Sequence, residues 1–398
     1  MKKNIVVVGA GISGLMAAYY LAKAGHHVVV YEQERYPAMR TSFANGGQVS
    51  VSNSEVWTTW SNVFKGIKWM FKKDAPLLIR PTFEWAKIRW ITKFLLNTIA
   101  HKHARNTAET IQMGMKSRDL YKELIAEEGL EFDQSFKGIL HFYKDRSYFD
   151  NAWSVKELYE ANRCQWQMVG PQEINEIEPA LRNDGDTFLG GAWTEDDWVG
   201  DIHKFCTELA TVLKNKYGVL FTFEGKVHNI KNLDFYDAIV VSSGVGSTAL
   251  AKTVGDTLDV YPVKGYSITI NLDDESFKHV PTTSLLDDQA KIVTSTLGRR
   301  FRVAGTAELT GENYDIRRDR IEPLLNWVHK NFPKINTHDY SSWACLRPMT
   351  PDMMPIVKQS ANNPKVFYHT GHGHLGWTLS PATAKQLTTM IDTHFTQM

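Results

Sequence analysis

The chain has 398 residues, 43% of them hydrophobic, which exceeds one small core and predicts two domains in a globular protein. Its formal net charge of +1 excludes a nucleic-acid binder held mainly by phosphate contacts. Cys164, Cys206 and Cys345 are odd in number and far apart, so neither a disulfide framework nor a paired-cysteine metal site is expected. No stretch reaches the roughly 18 apolar residues of a membrane span, and no secretory leader precedes the first strand, which predicts a reducing, cytoplasmic setting. Twelve Trp, fifteen Tyr and nineteen Phe suit either a large core or the enclosure of a flat aromatic ligand.

Residues 4–9 form an apolar run ending in glycine, followed by a helix-compatible stretch to about Ala24 and a second apolar run at 28–31. That pattern is strand, helix, strand within about 30 residues. From Trp60 to Arg105 ten Lys or Arg stand against two acids, Asp74 and Glu84. Trp60, Val63, Phe64, Ile67, Met70 and Phe71 share one helical face, with Lys65, Lys68 and Lys72 to its side and Trp69 facing away. Two readings stay open there: a domain helix with a solvated basic edge, or a basic amphipathic helix lying in an anionic membrane interface. Residues 103–128 carry apolar residues at helical spacing and stop near Gly129. Strands are expected at 138–144, 187–193, 261–272, 292–293 and 301–309, the later ones antiparallel. A helix at 203–217 feeds a strand at 219–223. Residues 238–241 form a buried strand closed by Ser242-Ser243-Gly244, and residues 366–368 a last strand before a glycine loop and a helix from about Thr378.

The motif Gly9-x-Gly11-x-x-Gly14 directly follows a strand and opens a helix. Gly9 permits the turn, Gly11 lets the backbone approach a pyrophosphate, and Gly14 lets helix and strand pack closely. The helix start, with Ile12 and Ser13, offers free N–H groups to phosphate. Glu32, eighteen residues after Gly14, ends the second strand where a carboxylate accepts ribose hydroxyls and repels a 2′-phosphate. NADP is therefore not expected, and NAD and FAD remain; the loop of small and hydrogen-bonding residues 40–48 suits a flavin ring and pyrophosphate. Gln33 and Arg40, the small and polar loop Ser42, Asn45, Gly46, Gly47 and Gln48, and Ser243-Gly244 complete the expected cofactor set. A second glycine loop, Gly371-His372-Gly373-His374-Leu375-Gly376, also opens a helix, whose positive end suits negative charge on a reduced flavin. His369, His372 and His374 come without a carboxylate or cysteine ligand, so no metal site is expected. Arg347, between an apolar run and Pro348, has the planar fork that binds a carboxylate with two hydrogen bonds; a structural salt bridge to Asp352 is the alternative.

Together these residues resemble the D-amino acid dehydrogenase family within the larger D-amino acid oxidase-like flavoproteins. The resemblance runs through residues 8–14, 41–48 and 75–77, Lys264-Gly265-Tyr266-Ser267, residues 302–305, Leu346-Arg347-Pro348-Met349-Thr350-Pro351-Asp352 and residues 371–378. It implies oxidative deamination of a D-amino acid to a 2-oxo acid and ammonia, with hydride leaving Cα for flavin N5 and electrons passing to a quinone or another acceptor. It also implies Arg347 as the carboxylate anchor, Tyr266 as its hydroxyl partner, and Val227 with the two glycine loops as the flavin's surround. His141, on a substrate-domain strand, is the expected acceptor of the amine proton. Two positions depart from the family. Ser50-Val51-Ser52-Asn53-Ser54-Glu55 replaces a Pro-Gly-Tyr type of turn at the edge of the substrate pocket, so side-chain preference does not carry over. Cys345 stands where glycine is usual; related sarcosine oxidases bond a cysteine there to the flavin, and no such bond is expected from residue type alone.

The expected fold is α/β. A Rossmann-like FAD-binding domain (residues 1–60, 195–255 and 343–398) is interleaved with an α+β substrate domain built on an antiparallel sheet (residues 61–194 and 256–342). Rival readings are an oxygen-using oxidase of glycine, sarcosine or another secondary amine, and a flavoprotein whose redox state only regulates a partner. Peripheral contact with the cytoplasmic face of the inner membrane is the location that the second reading of the basic segment implies.

Overall fold

The run Ile5-Val6-Val7-Val8 has no polar alternation, the pattern of a strand covered on both faces. In the computed structural model, which describes residues 2–69, 77–79, 83–181 and 188–397, that strand lies at the middle of a six-stranded sheet. The order is Ile356–Gln359, Val366–Thr370, Ala238–Val241, Asn4–Val8, His27–Tyr31, Leu220–Thr222, all parallel except the first. Helix Ile12–Lys23 crosses over from the first strand to the second and packs on helices Ile202–Asn215 and Gly376–Gln397. Ile5, Leu15, Phe205 and Leu387 meet in one fully buried core there. Parallel strands place their loops at one edge, so the turns after Val8, Tyr31, Val241 and Thr370 share the carboxyl edge, where ligands of open α/β sheets bind.

Among the described residues the second sheet has nine strands. Along its path lie Tyr340–Met349, Tyr261–Asn271, Arg300–Leu309, Ile292–Leu297, Ser284–Asp287, Ile139–Tyr143, Gly190–Thr194 and Gln167–Val169, and Leu77–Ile79 joins Arg300–Leu309. Most pairs are antiparallel, as expected. Two are parallel: Ile139–Tyr143 with Ser284–Asp287, and Leu77–Ile79 with Arg300–Leu309. One face of this sheet packs on helix Arg318–Asn331 through Ile268, Ile270, Leu324 and Val328. The other face meets the loop that follows the second strand of the first sheet. Ser267 Oγ donates to Ala44 O (2.7 Å), Ser295 Oγ to Gly46 O (2.7 Å) and Arg302 Nη1 to Asn45 O (3.0 Å).

The expected boundary at residue 343 falls inside the strand Tyr340–Met349, which belongs to the second sheet. Pro348 made that segment read as a turn. As an edge strand it holds a proline where an interior strand would lose a ladder bond. Its partner there is Pro262, ahead of Lys264, where pairing on the other side begins. Helix His103–Glu128 ends as expected, at left-handed Gly129 (φ +63°). Met70, Phe71, Lys72, Ala75, Pro76 and Thr187, which several expectations include, lie outside the described residues.

Candidate active site

The cofactor cradle is built from backbone contacts that only small residues permit. A Cβ on Gly14 would lie 1.8 Å from Gly9 O, and one on Gly9 would lie 2.6 Å from Ser242 O. The turn after the first strand therefore touches both the first helix and the turn after strand Ala238–Val241, main chain to main chain. A Cβ on Gly11 would meet only Ser42 Oγ, at 3.5 Å, which leaves the flank of the helix start open. Ile12 N donates to Ser42 Oγ (3.1 Å), tying the loop to that helix start. Glu32 is buried and accepts from Ala10 N (2.7 Å) and Glu34 N (2.9 Å). Burial pushes its carboxyl up and these N–H groups pull it back. Each oxygen keeps a lone pair for a ribose hydroxyl. An open helix start with a buried carboxylate beside it is the donor and acceptor set of an adenosine diphosphate, so the residues present fit FAD.

The other expected cofactor residues spread along the same edge. Asn45 Oδ1 accepts from Gly47 N (2.9 Å), and Gln48 Nε2 donates to Ser284 Oγ (2.8 Å), so Gly46 and its neighbours lie flat on the second sheet. Ser243 Oγ donates to Val8 O (2.9 Å), and Gly244 O accepts from Thr370 Oγ1 (3.1 Å), joining three loops. Val227 packs on the cluster that contains Val8 and Val241. Ser13 O is met by His369 Nδ1 (3.1 Å). Gln33 and Arg40 are exposed. Arg40 pairs with Glu34 (2.5 Å) and covers the Tyr314 ring (4.9 Å), which puts it at the rim. Leu375 is buried as Gly371 to Gly376 lead into the last helix. His372 turns away into that helix, its Nε2 meeting Thr383 Oγ1 (3.0 Å).

Arg347 forms the wall on the second sheet. Its guanidinium lies over Gly265, where a Cβ would come within 2.4 Å of Cζ. Nη1 donates to Thr306 O (2.9 Å). Thr306 stands at φ +62° within a β-bulge opposite Lys264 and Tyr266, so the carbonyl owes its aim to an irregular backbone. The Thr306 hydroxyl is buried without a partner among the described residues. Burial pushes the Arg347 pKa down, and among the described residues no carboxylate pairs with it, Asp352 included.

Tyr266 does not join it. Val263 lies opposite Arg347 and Tyr266 opposite Ala344, so strand alternation sends Tyr266 to the helix-covered face. There its hydroxyl donates to Glu308 Oε2 (2.6 Å) within the second core. The expected Arg347–Tyr266 pairing is thus corrected by a parity of one residue.

His141 is buried and held at both nitrogens, Nδ1 by Asp288 Oδ2 (3.1 Å) and Nε2 by Ser52 Oγ (3.1 Å). The turn Val51–Asn53 that carries Ser52 is fixed by Asp197, which accepts from Val51 N (3.0 Å) and Ser52 N (2.9 Å). Asn53 O meets His374 Nε2 (3.4 Å), and the His374 ring stacks on Trp57 at 4.9 Å. Burial, with Arg347 nearby adding to it, pushes His374 down to about 4, so its ring is neutral at pH 7. Sequence reasoning gave no role to Gly265, Thr306, Ser52, Asp288 or Trp57. They are scattered along the chain, and even where one lies in a family string, as Gly265 does, nothing local shows which side chain it faces.

The family profile described as FAD dependent oxidoreductase (DAO) matches residues 4–390. This chain belongs to that family. It is 47% identical to D-amino acid dehydrogenase 3 of Mesorhizobium japonicum, covering 98% of this chain and 97% of that protein. It is 36% identical to D-amino acid dehydrogenase of Dechloromonas aromatica, covering 98% and 96%. Among solved structures, glycine oxidase from Geobacillus kaustophilus superposes with a TM-score of 0.74 at 18% identity, covering 98% and 95%. L-proline dehydrogenase from P. horikoshii does so with 0.73 at 15%, covering 98% and 94%. At such identities the structures show the fold. As a family member this chain is an FAD-dependent oxidoreductase.

Glu32→Ala removes two charge-assisted acceptors, worth on the order of 2–4 kcal/mol, and is expected to purify with far less flavin per chain. Full yellow occupancy, read from the visible spectrum of that variant, contradicts the ribose role. Cys345 shares the Arg347 face of its strand; burial pushes its thiol up, against the opposing pull of Arg347 and Arg302. Such a thiol is a poor nucleophile. Acid precipitation should leave the flavin in the supernatant; colour retained by the pellet, and lost in Cys345→Ala, means a covalent bond.

Proposed function

We propose that this chain oxidises D-amino acids through the imine to 2-oxo acids and ammonia, passing the electrons to a quinone or another carrier. The observation that carries this reading is the half-buried guanidinium of Arg347, oriented by Gly265 and Thr306 and lacking a carboxylate partner among the described residues. A substrate carboxylate supplies the missing charge and two parallel hydrogen bonds. Near-complete coverage of the relatives named D-amino acid dehydrogenase supports the same choice of substrate.

Gly9, Gly11, Gly14, Glu32, Ser42 and the loops 45–48 and 371–376 would hold FAD, which when bound supplies the two-electron acceptor for the Cα–H. Arg347 binds the carboxylate and fixes how Cα faces the cofactor. His374, neutral and stacked on Trp57, closes the site on one side without competing for the carboxylate. His141, oriented by Asp288, takes the amine proton by way of the Ser52 hydroxyl.

The reading includes peripheral contact with the cytoplasmic face of the inner membrane. Phe64 (65% exposed) on helix Trp60–Trp69, and Trp85 (74%) and Leu96 (56%) on helix Trp85–Ile99, present large apolar surfaces to solvent. Fewer charges contribute than the sequence suggests. Lys65 sits over the Tyr148 ring (4.2 Å), and Arg89 and Lys93 pair with Asp259. Apolar insertion is therefore the larger contribution, with exposed Lys68 and Lys102 assisting. No helix among the described residues is long and apolar enough to cross a membrane.

Arg347→Lys, a point charge in place of a fork, should lower kcat/KM for a D-amino acid more than tenfold, and Arg347→Ala by an amount equal to about 3–5 kcal/mol, both with full flavin. Normal kcat/KM in Arg347→Ala overturns the anchor. Anionic vesicles should pellet the protein at low salt, and Trp85→Glu should reduce the pelleted fraction severalfold; protein that stays in the supernatant with vesicles present ends the membrane reading.

A further inference from the structure

Two lysines beside the site have no part in the mechanism above. Lys291 stands in the turn between strands Ser284–Asp287 and Ile292–Leu297, at φ +55°. That conformation favours glycine or asparagine, so turn geometry alone does not call for lysine. Ile292 pairs with Gly305, which puts Lys291 beside Thr306, whose carbonyl holds Arg347. Lys291 Nζ lies 3.3 Å from Asp288 Oδ1, and Asp288 is the carboxylate that holds His141. It also lies 5.8 Å from the centre of the Tyr148 ring, at the start of helix Arg146–Ala161. Lys65, from helix Trp60–Trp69, reaches the same ring at 4.2 Å. Three distant segments thus gather two ammonium groups around one ring.

The acids nearby are engaged. Asp288 meets His141 and Lys291, Glu55 pairs with His103 (3.1 Å), and Asp145 accepts from Ser147 N (2.8 Å). Lys65 meets no carboxylate at ion-pair distance among the described residues. Burial, followed by repulsion from Lys291, pushes its pKa down, each outweighing the pull of any one of these acids. Arg347 and Lys291 both act on the His374 ring, which ties the lysine pair to the amino-acid site.

We propose that Lys65 and Lys291 bind the side-chain carboxylate of an acidic D-amino acid whose α-carboxylate is on Arg347, an inference that rests on the anchor reading above. A second carboxylate needs a second cation if it is to leave water. Lys65 is the ammonium without a carboxylate of its own, and the Lys291 side chain, paired with Asp288, keeps 45% of its surface open. Point charges on flexible stems suit a side-chain carboxylate whose reach varies, whereas a rigid fork suits the fixed α-carboxylate. A bound anion also relieves the repulsion between the two ammonium groups, which a neutral side chain of the same shape leaves in place. The chain is thereby specific for dicarboxylic D-amino acids.

The test compares D-glutamate with D-glutamine, which differ in charge and hardly in shape. Each is mixed anaerobically with the holoenzyme, and the concentration dependence of flavin bleaching gives a specificity constant that no electron acceptor affects. The parent should favour D-glutamate roughly tenfold or more. Lys65→Met should lower that ratio about fivefold to tenfold, mainly through the half-saturating concentration, and Lys65→Arg should keep most of it. Lys65→Glu should make D-glutamate the poorer of the two. Lys291→Met should lower the ratio as well, and it decides the matter if the Lys65 variants do not fold; any effect through Asp288 on both substrates alike cancels in the ratio. A parent that bleaches equally fast with both, faster with D-glutamine, or with D-alanine and neither of them, overturns the proposal and leaves the Arg347 reading standing. A preference for D-glutamate that survives in both Met variants overturns the assignment to these lysines. A parent bleached by none of the three D-amino acids overturns the substrate reading, and the proposal with it.

Discussion

A cation held in a protein wall without a counter-charge is a standing electrostatic cost, and among the described residues the surroundings of Arg347 maintain that cost. Gly265 gives up a side chain so that the guanidinium can lie flat. Thr306 adopts a left-handed conformation that β-branched residues seldom take, and its carbonyl holds one nitrogen in place. A carbonyl orients a guanidinium but does not neutralise it. The remaining donors meet no carboxylate among the described residues, and the proposed anchoring of a substrate carboxylate rests on that.

That wall works only if it faces the cofactor edge, and the contact between the sheets ensures this. The loop 42–48 begins beside the first helix through Ser42 and ends on the second sheet through Asn45, Gly46 and Gln48. One short segment therefore sets the distance between the pyrophosphate end and the substrate wall. On the far side, Asp197 performs the same service for the turn Val51–Asn53, positioning Ser52 toward His141 and Asn53 toward His374. Arg118, close to both Asp196 and Asp197, holds that buried carboxylate in place.

The parts of this arrangement that were legible in the sequence are those with local chemistry. Gly9 and Gly14 could be read because a tight turn and close helix packing demand glycine at a set spacing, and Glu32 because it falls where the second strand ends. The long helix from His103 could be bounded because Gly129 stops it. Tyr266 was misplaced for the opposite reason: proximity to Arg347 is decided by strand parity across the pair Tyr261–Asn271 and Tyr340–Met349, and Pro348 hid the second strand. The helices Arg146–Ala161 and Arg318–Asn331 went unread. In the second, Pro323 stands at the sixth position, inside the helix, where proline removes one hydrogen bond to the preceding turn and breaks the sequence pattern. The hydrogen-bonded chain Ser52–His141–Asp288 joins three distant segments and has no one-dimensional trace.

The central claim is that the site accepts the Cα–H of a D-amino acid whose carboxylate is held by Arg347. Anaerobic titration of the holoenzyme with matched D- and L-amino acids tests it most directly, because flavin bleaching reports the first half-reaction whatever the later acceptor. The account predicts stoichiometric bleaching by D-enantiomers and a flavin spectrum unchanged by their L-counterparts. Bleaching by L-enantiomers alone, or by amines without a carboxylate, would contradict it.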